Sequence, residues 1–290
     1  MKTLLLIDNH ALIYRFFHAL PPLTTPKGEP IGAIYGLASV LLKIIREQKP
    51  DYMVACFDRP EPTFRDELYD KYKIHRPTMP SDLQSQVGRA HELFEKFGIK
   101  SIEQIGFEAD DLIGTLVEKF KGVDGLVIII LSGDLDVLQL VIDDKVVVQF
   151  LKKGISDTII YNEKKVFERY GIKPEQLPDL KGLLGDTSDN IPGIAGVGPK
   201  TAGPLIQKHG SLEKLFDNLW EVPDKIGARL ENQKEAALFS KKLATIRIDV
   251  PLWIKLEDLE RRKLDRVGLA KYFEELGFKS LAERLERVIE

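Results

Sequence analysis

The stretch Leu126-Val127-Ile128-Ile129-Ile130-Leu131, followed by Ser132-Gly133-Asp134, decides the fold of this 290-residue chain. Six consecutive apolar residues that end at a turn are typical of a strand buried on both faces. Two similar runs, Leu4-Leu5-Leu6-Ile7 and Tyr52 to Phe57, occur earlier in the chain. These three runs predict three strands of one sheet.

Segments with apolar residues at helical spacing separate these runs, at residues 31–48, 83–97 and 109–120. Such alternation predicts a parallel sheet with crossover helices. Two more apolar segments, 146–148 and 158–161, flank Lys152-Lys153-Gly154 and predict a further strand pair. The predicted fold class is therefore α/β, with a central, mostly parallel sheet flanked by helices.

The pattern of predicted secondary structure changes after Tyr161. From Asn162 onward, short helical patterns are punctuated by Gly and Pro, and the chain finishes with amphipathic segments Leu264 to Leu276 and Leu281 to Ile289. We therefore predict an α/β core over residues 1–161 and a helical region over residues 162–290.

Composition excludes several classes of protein. The single cysteine, Cys56, lies in an apolar run, so neither a disulfide framework nor a thiolate metal site is available. The apolar run before Asp8 is too short for a signal peptide, and no stretch approaches the length of a membrane span. We expect a cytoplasmic protein without a membrane partner. Its net charge of −3 argues against a nucleic-acid partner unless bound divalent cations neutralise a carboxylate cluster.

An acidic residue follows each of the three strands. Because ligands bind at the carboxyl ends of parallel strands, these residues predict a site at one edge of the sheet. The candidate metal ligands are Asp8, Asp58, Glu108, Asp110, Asp111, Asp134, Asp136, Asp186 and Asp189. A set without His or Cys favours Mg²⁺ or Mn²⁺ over Zn²⁺. Two such ions, about 4 Å apart, suit hydrolysis of a phosphodiester.

Each acidic residue also has an ordinary structural explanation. Asp8 would suit the N-cap of a helix, and Asp58 would suit the turn into Pro60. Asp110 and Asp111 are favoured in a first helical turn by the helix dipole. Only the joint occurrence at three strand ends favours a metal site over independent caps.

A glycine-rich turn separates two predicted helices within residues 180–209. Pro199, directly after Gly198, is a strong signal for the start of the second helix. Small residues let a phosphate approach the backbone N–H groups, and Lys200 and Thr201 add side-chain contacts. An ordinary helical hairpin explains this composition equally well.

The segment between Asp58 and Leu83 is basic and aromatic. It contains Arg59, Arg65, Lys71, Lys73, His75 and Arg76, interleaved with Phe64, Tyr69 and Tyr72. Cations follow a phosphate backbone and aromatic rings stack on unpaired bases, although a solvated surface loop is the alternative. Its position after a candidate metal ligand favours delivery of substrate to the ions.

Five motifs, in order, resemble the flap endonuclease-like 5′-nucleases, and in particular the N-terminal 5′→3′ exonuclease domain of bacterial DNA polymerase I. They are Phe57-Asp58 with Pro62 to Glu67, Tyr72 to Pro77, Glu108-Ala109-Asp110-Asp111, Ser132 to Asp136, and Gly185 to Gly193. The resemblance covers essentially the whole chain. It implies a PIN-like core followed by a helix-hairpin-helix (H3TH) motif over about residues 176–209.

The resemblance implies a structure-specific 5′→3′ exonuclease or 5′-flap endonuclease that cuts DNA by two-metal-ion catalysis in replication and repair. One ion would be held by a subset of Asp8, Asp58, Glu108, Asp110, Asp134 and Asp136. Asp111, Asp186 and Asp189 would coordinate the second ion or bind its waters. The implied partners are branched or 5′-flap DNA and nicked duplex, and a covalently linked DNA polymerase domain is compatible with the resemblance.

The resemblance also implies how DNA is held. Residues 59–82 would form a helical arch, through which a free 5′ end passes. Lys73 and Arg76 would contact the scissile phosphate. Arg65 and Tyr72 would contact the nearby strand. The turn would grip duplex DNA through Gly196, Gly198, Lys200 and Thr201, around a monovalent cation such as K⁺.

Two positions depart from the family pattern. Asn9 stands where Gly is commoner, and Leu135 stands where a basic residue is usual. The second departure leaves the metal ligands intact but puts a charge contact with substrate in doubt. Two other functions stay open at this point, namely a catalytically silent DNA-binding module and a relative that cuts RNA.

Overall fold

The computed structural model of the protein describes residues 1–153 and 157–287. Three positions of the predicted segments, Gly154, Val288 and Ile289, lie outside the described residues. Within this part of the chain, no helix is long and apolar enough to cross a membrane.

A six-stranded sheet with the order β3-β2-β1-β4-β5-β6 forms the centre of the described chain. The strands are β1 (Lys2–Asp8), β2 (Tyr52–Cys56), β3 (Lys100–Ile102), β4 (Leu126–Ser132), β5 (Val146–Lys153) and β6 (Asp157–Tyr161). The first five are parallel, and β6 pairs antiparallel with β5. This confirms the predicted fold class, and β3 is the one strand of this sheet that the sequence did not indicate.

Helices surround this sheet and continue into a helical region. The helices of the first part are α1 (Asn9–Ala19), α2 (Gly32–Glu47), α3 (Phe64–Leu68), α4 (Ser81–Lys96) and α5 (Ala109–Phe120). Those of the second part are α6 (Glu163–Tyr170), α7 (Leu177–Leu184), α8 (Pro199–His209), α9 (Leu212–Asp217), α10 (Asp224–Asn232), α11 (Lys234–Ala244), α12 (Arg266–Glu275) and α13 (Lys279–Glu286).

The central strand β1 shows why its apolar run is continuous. Leu4 and Leu6 pack into a core on one face of the sheet, whereas Leu5 and Ile7 pack into a second core on the other face. All four side chains are fully buried. Alternate residues of a strand point to opposite faces, so a strand covered on both sides needs apolar residues at every position.

The two cores take up different helices. The first contains residues of α5 and of the helical region from α6 to α11, and the second contains residues of α1, α2, α4, α12 and α13. The chain therefore returns at its described end to pack Leu269 and Leu281 with the helices of the first part.

The segment predicted as a helical arch is helical only in the five residues of α3 before α4 begins at Ser81. The helix α3 ends because Tyr69 has an extended backbone, with φ of −147° and ψ of 101°, and Pro77 and Pro80 keep the residues before α4 from joining that helix. Residues 70–75 form turns, and Lys73 has a left-handed backbone with φ of 53°. The helical form of the arch was therefore a wrong prediction for this structure.

The helices on either side of the glycine-rich turn form as the sequence predicted. The first, α7, ends at Leu184, and Pro199 occupies the first position of α8. Asp186 and Ile191 pair through two backbone hydrogen bonds of 2.8 and 2.9 Å between these helices. That pairing closes residues 186–191 into a compact loop.

Candidate functional site: an acidic cleft at the sheet edge

The register of the sheet brings three strand ends together. Asp8 at the end of β1 pairs with Cys56 of β2, and its neighbour Ile7 pairs with Leu131 of β4. The residues that follow β2 and β4, Asp58 and Asp134, therefore lie at the same edge as Asp8.

A cleft of about 720 Å³ opens at this edge. Seven of the nine predicted metal ligands line it, namely Asp8, Asp58, Glu108, Asp110, Asp134, Asp136 and Asp189. We refer to this cavity as the acidic cleft. The two predicted ligands that do not line it are Asp111 and Asp186.

Asp8 is both a helix cap and a wall of the acidic cleft. Its Oδ1 accepts a hydrogen bond of 3.1 Å from the backbone N–H of Ala11, and its Oδ2 accepts one of 2.6 Å from the Ser132 hydroxyl. Burial raises the pKa of Asp8 to about 7. A nearby cation would offset the cost of a buried negative charge, so the two interpretations of Asp8 are compatible.

Asp110 presents a carboxylate oxygen that lacks a protein partner. Its Oδ1 is buried and accepts no hydrogen bond within the described part of the chain. Burial, followed by the adjacent charge of Asp111, raises the pKa of Asp110 well above its usual range. Buried polar atoms normally have a partner, so an unpaired carboxylate oxygen fits a ligand of a bound cation.

Asp58 ties the second strand end to the helix that carries Asp110. Its Oδ1 accepts a hydrogen bond of 2.6 Å from the backbone N–H of Ala109, the first residue of α5. His10 Nδ1 lies 3.8 Å from its Oδ2. The first turn of α5 is thereby fixed against the end of β2.

Two of the carboxylates that line the cleft, Asp136 and Asp189, also lie close to Asp186, where the sheet edge meets the helical region. Asp136, Asp186 and Asp189 can each offer one oxygen, and these oxygens lie within 4.8 Å of one another. We call these three residues the second cluster. Burial and then the charge of Asp134 raise the pKa of Asp136 to about 7. Although burial alone would raise the pKa of Asp186, the ammonium of Lys181 outweighs burial and lowers it to about 2.

Basic residues are bound directly to these carboxylates. Lys73 forms an ion pair with Glu108, and Nη2 of Arg76 lies 2.5 Å from Oδ1 of Asp189. The Tyr72 hydroxyl lies 3.2 Å from both Glu108 Oε2 and Asp189 Oδ2. Residues 72–76 therefore close one side of the acidic cleft.

Lys181 was not among the residues that the sequence predicted. It forms ion pairs with Asp136 and with Asp186 Oδ2, the latter at 2.6 Å. Its position five residues before Asp186 on α7 was the only available signal. Its partner Asp136 lies 45 residues away in sequence, so only the folded chain brings them together.

The structure gives Asp111 and Arg65 roles that differ from the predicted ones. Asp111 is fully buried, and its oxygens accept hydrogen bonds from Arg65 and from the backbone N–H groups of Glu108 and Arg247. Arg65 is only 2% exposed and also donates to the carbonyl oxygens of Leu243 and Thr245. Both side chains are thus engaged in a buried ion pair, and neither Asp111 nor Arg65 lines the cleft.

A basic and aromatic wall faces the carboxylates, and the sequence did not indicate it. It consists of His10, Tyr14, Arg15 and His18 on α1 and Lys152 on β5. The rings of His10, Tyr14 and His18 lie in a row, with centroids 5.6 and 6.4 Å apart. Their spacing of four residues on one helix was a signal that could have found them.

The glycine-rich turn presents an exposed surface outside this cleft. Gly196, Gly198 and Lys200 are exposed, and Thr201 is half-buried. Gly196 has a φ of 78°, and its carbonyl oxygen accepts a hydrogen bond of 3.2 Å from Arg229. The left-handed backbone at this φ favours glycine over any residue with a side chain.

The two departures from the family pattern are accommodated in different ways. Leu135 is partly buried and packs against the first core, so its side chain is an apolar anchor between Asp134 and Asp136. Asn9 is fully buried, and neither polar atom of its side chain has a partner within the described residues.

Comparison with known proteins agrees with this geometry. Residues 3–171 match the family model of the 5′-3′ exonuclease N-terminal, resolvase-like domain, and residues 172–267 match that of the 5′-3′ exonuclease C-terminal SAM fold. A protein named 5′-3′ exonuclease from Aquifex aeolicus is 37% identical, over 99% of this chain and 96% of its own length.

Other relatives are much longer. The chain is 42% identical to DNA polymerase I of Bacillus subtilis, over 98% of this chain and 32% of the polymerase. DNA polymerase I of Caldicellulosiruptor bescii is also 42% identical, over 97% of this chain and 33% of the polymerase. The chain thus spans about a third of the length of these polymerases.

Solved structures share the fold at low sequence identity. T5 5′-exonuclease with bound divalent metal ions superposes with a TM-score of 0.69 at 20% identity, over 99% of this chain and 98% of that chain. The catalytic core of Rad2 in complex with DNA superposes with a TM-score of 0.65 at 18% identity, over 99% and 93%. From the two matched domains and the Aquifex aeolicus relative, we conclude that this chain belongs to the 5′-3′ exonuclease family.

Proposed function

We propose that the chain is a metal-dependent 5′-nuclease that hydrolyses DNA near a free 5′ end, as a 5′→3′ exonuclease or a 5′-flap endonuclease. The observation that supports this proposal most strongly is the acidic cleft, where seven carboxylates from separate parts of the chain meet. Such a concentration of like charge is unfavourable unless cations occupy it. Primer or flap removal in DNA replication and repair is the role that we propose for this activity, which would place it in the cytoplasm.

The donor set of the acidic cleft fits Mg²⁺, with Mn²⁺ as a substitute. Its ligand atoms are carboxylate oxygens, and the unpaired Oδ1 of Asp110 is available to a cation. We propose that Asp8, Asp58, Asp110 and Asp134 hold one ion, with Asp136, Asp186 and Asp189 around a second. When bound, such ions supply an activated water and neutralise charge on the leaving oxygen.

Lys73 and Arg76 are suited to bind the substrate phosphate. In this structure, Lys73 and Arg76 are bound to Glu108 and Asp189, which places both cations at the mouth of the acidic cleft. We propose that they turn from these carboxylates to the scissile phosphate and offset the charge that develops there. Tyr72 would hold Glu108 and Asp189 in place as this exchange occurs.

The glycine-rich turn is suited to grip duplex DNA away from the cut. Its exposed backbone at Gly198 precedes the first turn of α8, and Lys200 extends a positive charge from the same place. A K⁺ ion fits this turn less well, because the Arg229 guanidinium already bonds the Gly196 carbonyl. We therefore assign the proposed grip to the backbone, Lys200 and Thr201.

The names of the relatives extend the proposal to partners. Polymerases I contain a segment like this one in a third of their length, so a covalently linked DNA polymerase domain is a proposed partner. One of the superposed structures is described as a T5 flap endonuclease complex with DNA and metal ions. On this basis we propose branched DNA, 5′-flap DNA and nicked duplex as substrates.

A comparison of three substrates tests the proposed function. The purified chain is incubated with a 5′-flap DNA, a single-stranded RNA and an RNA-primed duplex, in Mg²⁺ and then in EDTA. We expect cleavage of the flap near its junction in Mg²⁺ and none in EDTA. Binding of the flap without cleavage would indicate a silent DNA-binding module, and cleavage of the single-stranded RNA alone would indicate an RNA-cutting relative.

A further inference from the structure

Lys181 lies between two carboxylates that come from different parts of the fold. Its ammonium pairs with Asp136, which follows β4, and lies 2.6 Å from Oδ2 of Asp186, which follows α7. The side chain is 20% exposed. It therefore occupies the second cluster as a fixed, partly desolvated positive charge.

Each carboxylate of the second cluster is paired with a basic side chain. Lys181 forms ion pairs with Asp136 and Asp186, and Arg76 forms one with Asp189. The two cations differ in their freedom, since Arg76 is 48% exposed in a segment of turns and bends, whereas Lys181 extends from a packed helix. Arg76 can leave with its segment, but Lys181 stays close to the carboxylates.

We propose that Lys181 is a built-in counter-ion that competes with the second divalent cation for Asp136 and Asp186. It would stabilise the metal-free cluster and weaken binding of the second cation in the absence of DNA. A positive charge beside a cation site repels a divalent ion, and an entering phosphate offsets that repulsion. Tight binding of the second ion would thereby be linked to the presence of substrate. This inference rests on the proposed function.

Contacts other than those of Lys181 also hold parts of this cluster, so the effect of losing a competing charge can be distinguished from the effect of losing a structural support. Oδ1 of Asp186 accepts hydrogen bonds from the backbone N–H and the hydroxyl of Ser188, at 2.9 and 2.6 Å. Asp136 is held through its backbone N–H, which donates to Asp134 Oδ1 at 2.9 Å. Removal of the ammonium should therefore free ligand oxygens without dispersing them.

Titration with Mn²⁺ in the absence of DNA tests this inference. Lys181→Met should tighten the weaker of two Mn²⁺ sites by about tenfold in calorimetry, whereas Lys181→Arg should leave it within about twofold of the unchanged protein. The metal-free Lys181→Met variant should also melt at a lower temperature, because two carboxylates lose their counter-ion. If Lys181→Met does not fold, Lys181→Gln takes its place in the same titration.

Lys241 offers a matched control. It also bridges two carboxylates, Asp179 at 2.6 Å and Glu213 at 2.8 Å, and none of the three lines the acidic cleft. Lys241→Met should lower the melting temperature and leave Mn²⁺ affinity unchanged. Weaker or unchanged Mn²⁺ binding by folded Lys181→Met would overturn the inference. Absence of any Mn²⁺ binding by the unchanged protein would instead contradict the proposed function.

Discussion

Arg65 and Asp111 form a two-armed ion pair beneath the acidic cleft, with Nη1 to Oδ2 at 2.7 Å and Nη2 to Oδ1 at 2.9 Å. Arg65 also donates to Glu108 at 3.3 Å and to the carbonyl oxygen of Leu243 at 2.9 Å. The pair therefore joins the start of α3, the first turn of α5 and the end of α11.

Loss of Asp111 should destabilise the fold because it leaves a buried guanidinium without its principal partner. We expect Asp111→Ala to lower the free energy of unfolding by about 3–5 kcal/mol, measured by urea denaturation in EDTA. Asp66→Ala, which removes a carboxylate that caps α3 at a more exposed position, should cost about 1 kcal/mol. Unchanged stability in Asp111→Ala, together with lost metal binding, would restore Asp111 as a ligand.

Lys73 should act on the rate of cleavage rather than on metal affinity. Lys73→Met removes a cation that we propose binds the scissile phosphate, so the single-turnover rate should fall by about 10²–10³-fold. The Mg²⁺ concentration for half-maximal activity should not rise, because Glu108 loses a competing cation. Lys71→Met, at an exposed position two residues away, is the control and should keep its rate. A need for more Mg²⁺ with an unchanged maximal rate would refute this role.

Lys200 should contribute to duplex binding without touching the metal centre. Lys200→Ala should weaken binding of duplex DNA and reduce the slope of log affinity against log salt by about one. Fluorescence anisotropy across a salt series measures both quantities, with exposed Lys225 on α10 changed to Ala for comparison. An effect of Lys200→Ala confined to the Mg²⁺ titration would show that the turn has a different role.

The metal-free protein should lose stability as pH rises toward neutrality. Asp8 and Asp136 have ordinary pKa values of 3.8, which burial raises to about 7 in the folded protein. The folded state therefore holds these protons to higher pH than the unfolded chain does, and their contribution is lost as pH rises from about 4 to about 7. Urea denaturation in EDTA should show this decline, and Asp8→Asn should reduce it.

Mg²⁺ should reverse this dependence. A bound cation favours the ionised carboxylates, so the stabilisation that Mg²⁺ gives should grow between pH 5 and pH 8, by up to about tenfold in affinity per pH unit for each proton displaced. A flat or rising stability profile in EDTA over this range would show that Asp8 and Asp136 keep their ordinary pKa values.

Much of the fold could be predicted because its strands and helices have clear periods. β1, β2 and β4 are apolar at each position that faces a core, and α5 has the bounds that its apolar spacing indicated. β3 was missed because its three residues, Lys100–Ile102, are too few to show a period. The turns at residues 70–75 were missed because no proline lies between Thr63 and Pro77 to exclude a helix there, and the resemblance favoured one.

The acidic site could be predicted because the carboxyl ends of parallel strands share one edge. Asp111 lies outside the cleft for a geometric reason, since neighbouring residues on a helix point about 100° apart. Asp110 therefore faces the cleft, whereas Asp111 faces Arg65 on the other side of α5. The part played by Lys181 depends on contacts between distant segments, which spacing in the sequence does not encode.

The most direct test of the central claim is the cleavage rate of a 5′-flap DNA by Asp134→Ala in saturating Mg²⁺, beside the exposed-site control Asp124→Ala. Asp134→Ala should remain folded and bind the flap, but its rate should fall by on the order of 10³-fold or more, because a proposed metal ligand is lost. Asp124→Ala should cut normally. Full cleavage by Asp134→Ala would contradict the proposal that the acidic cleft is the metal centre.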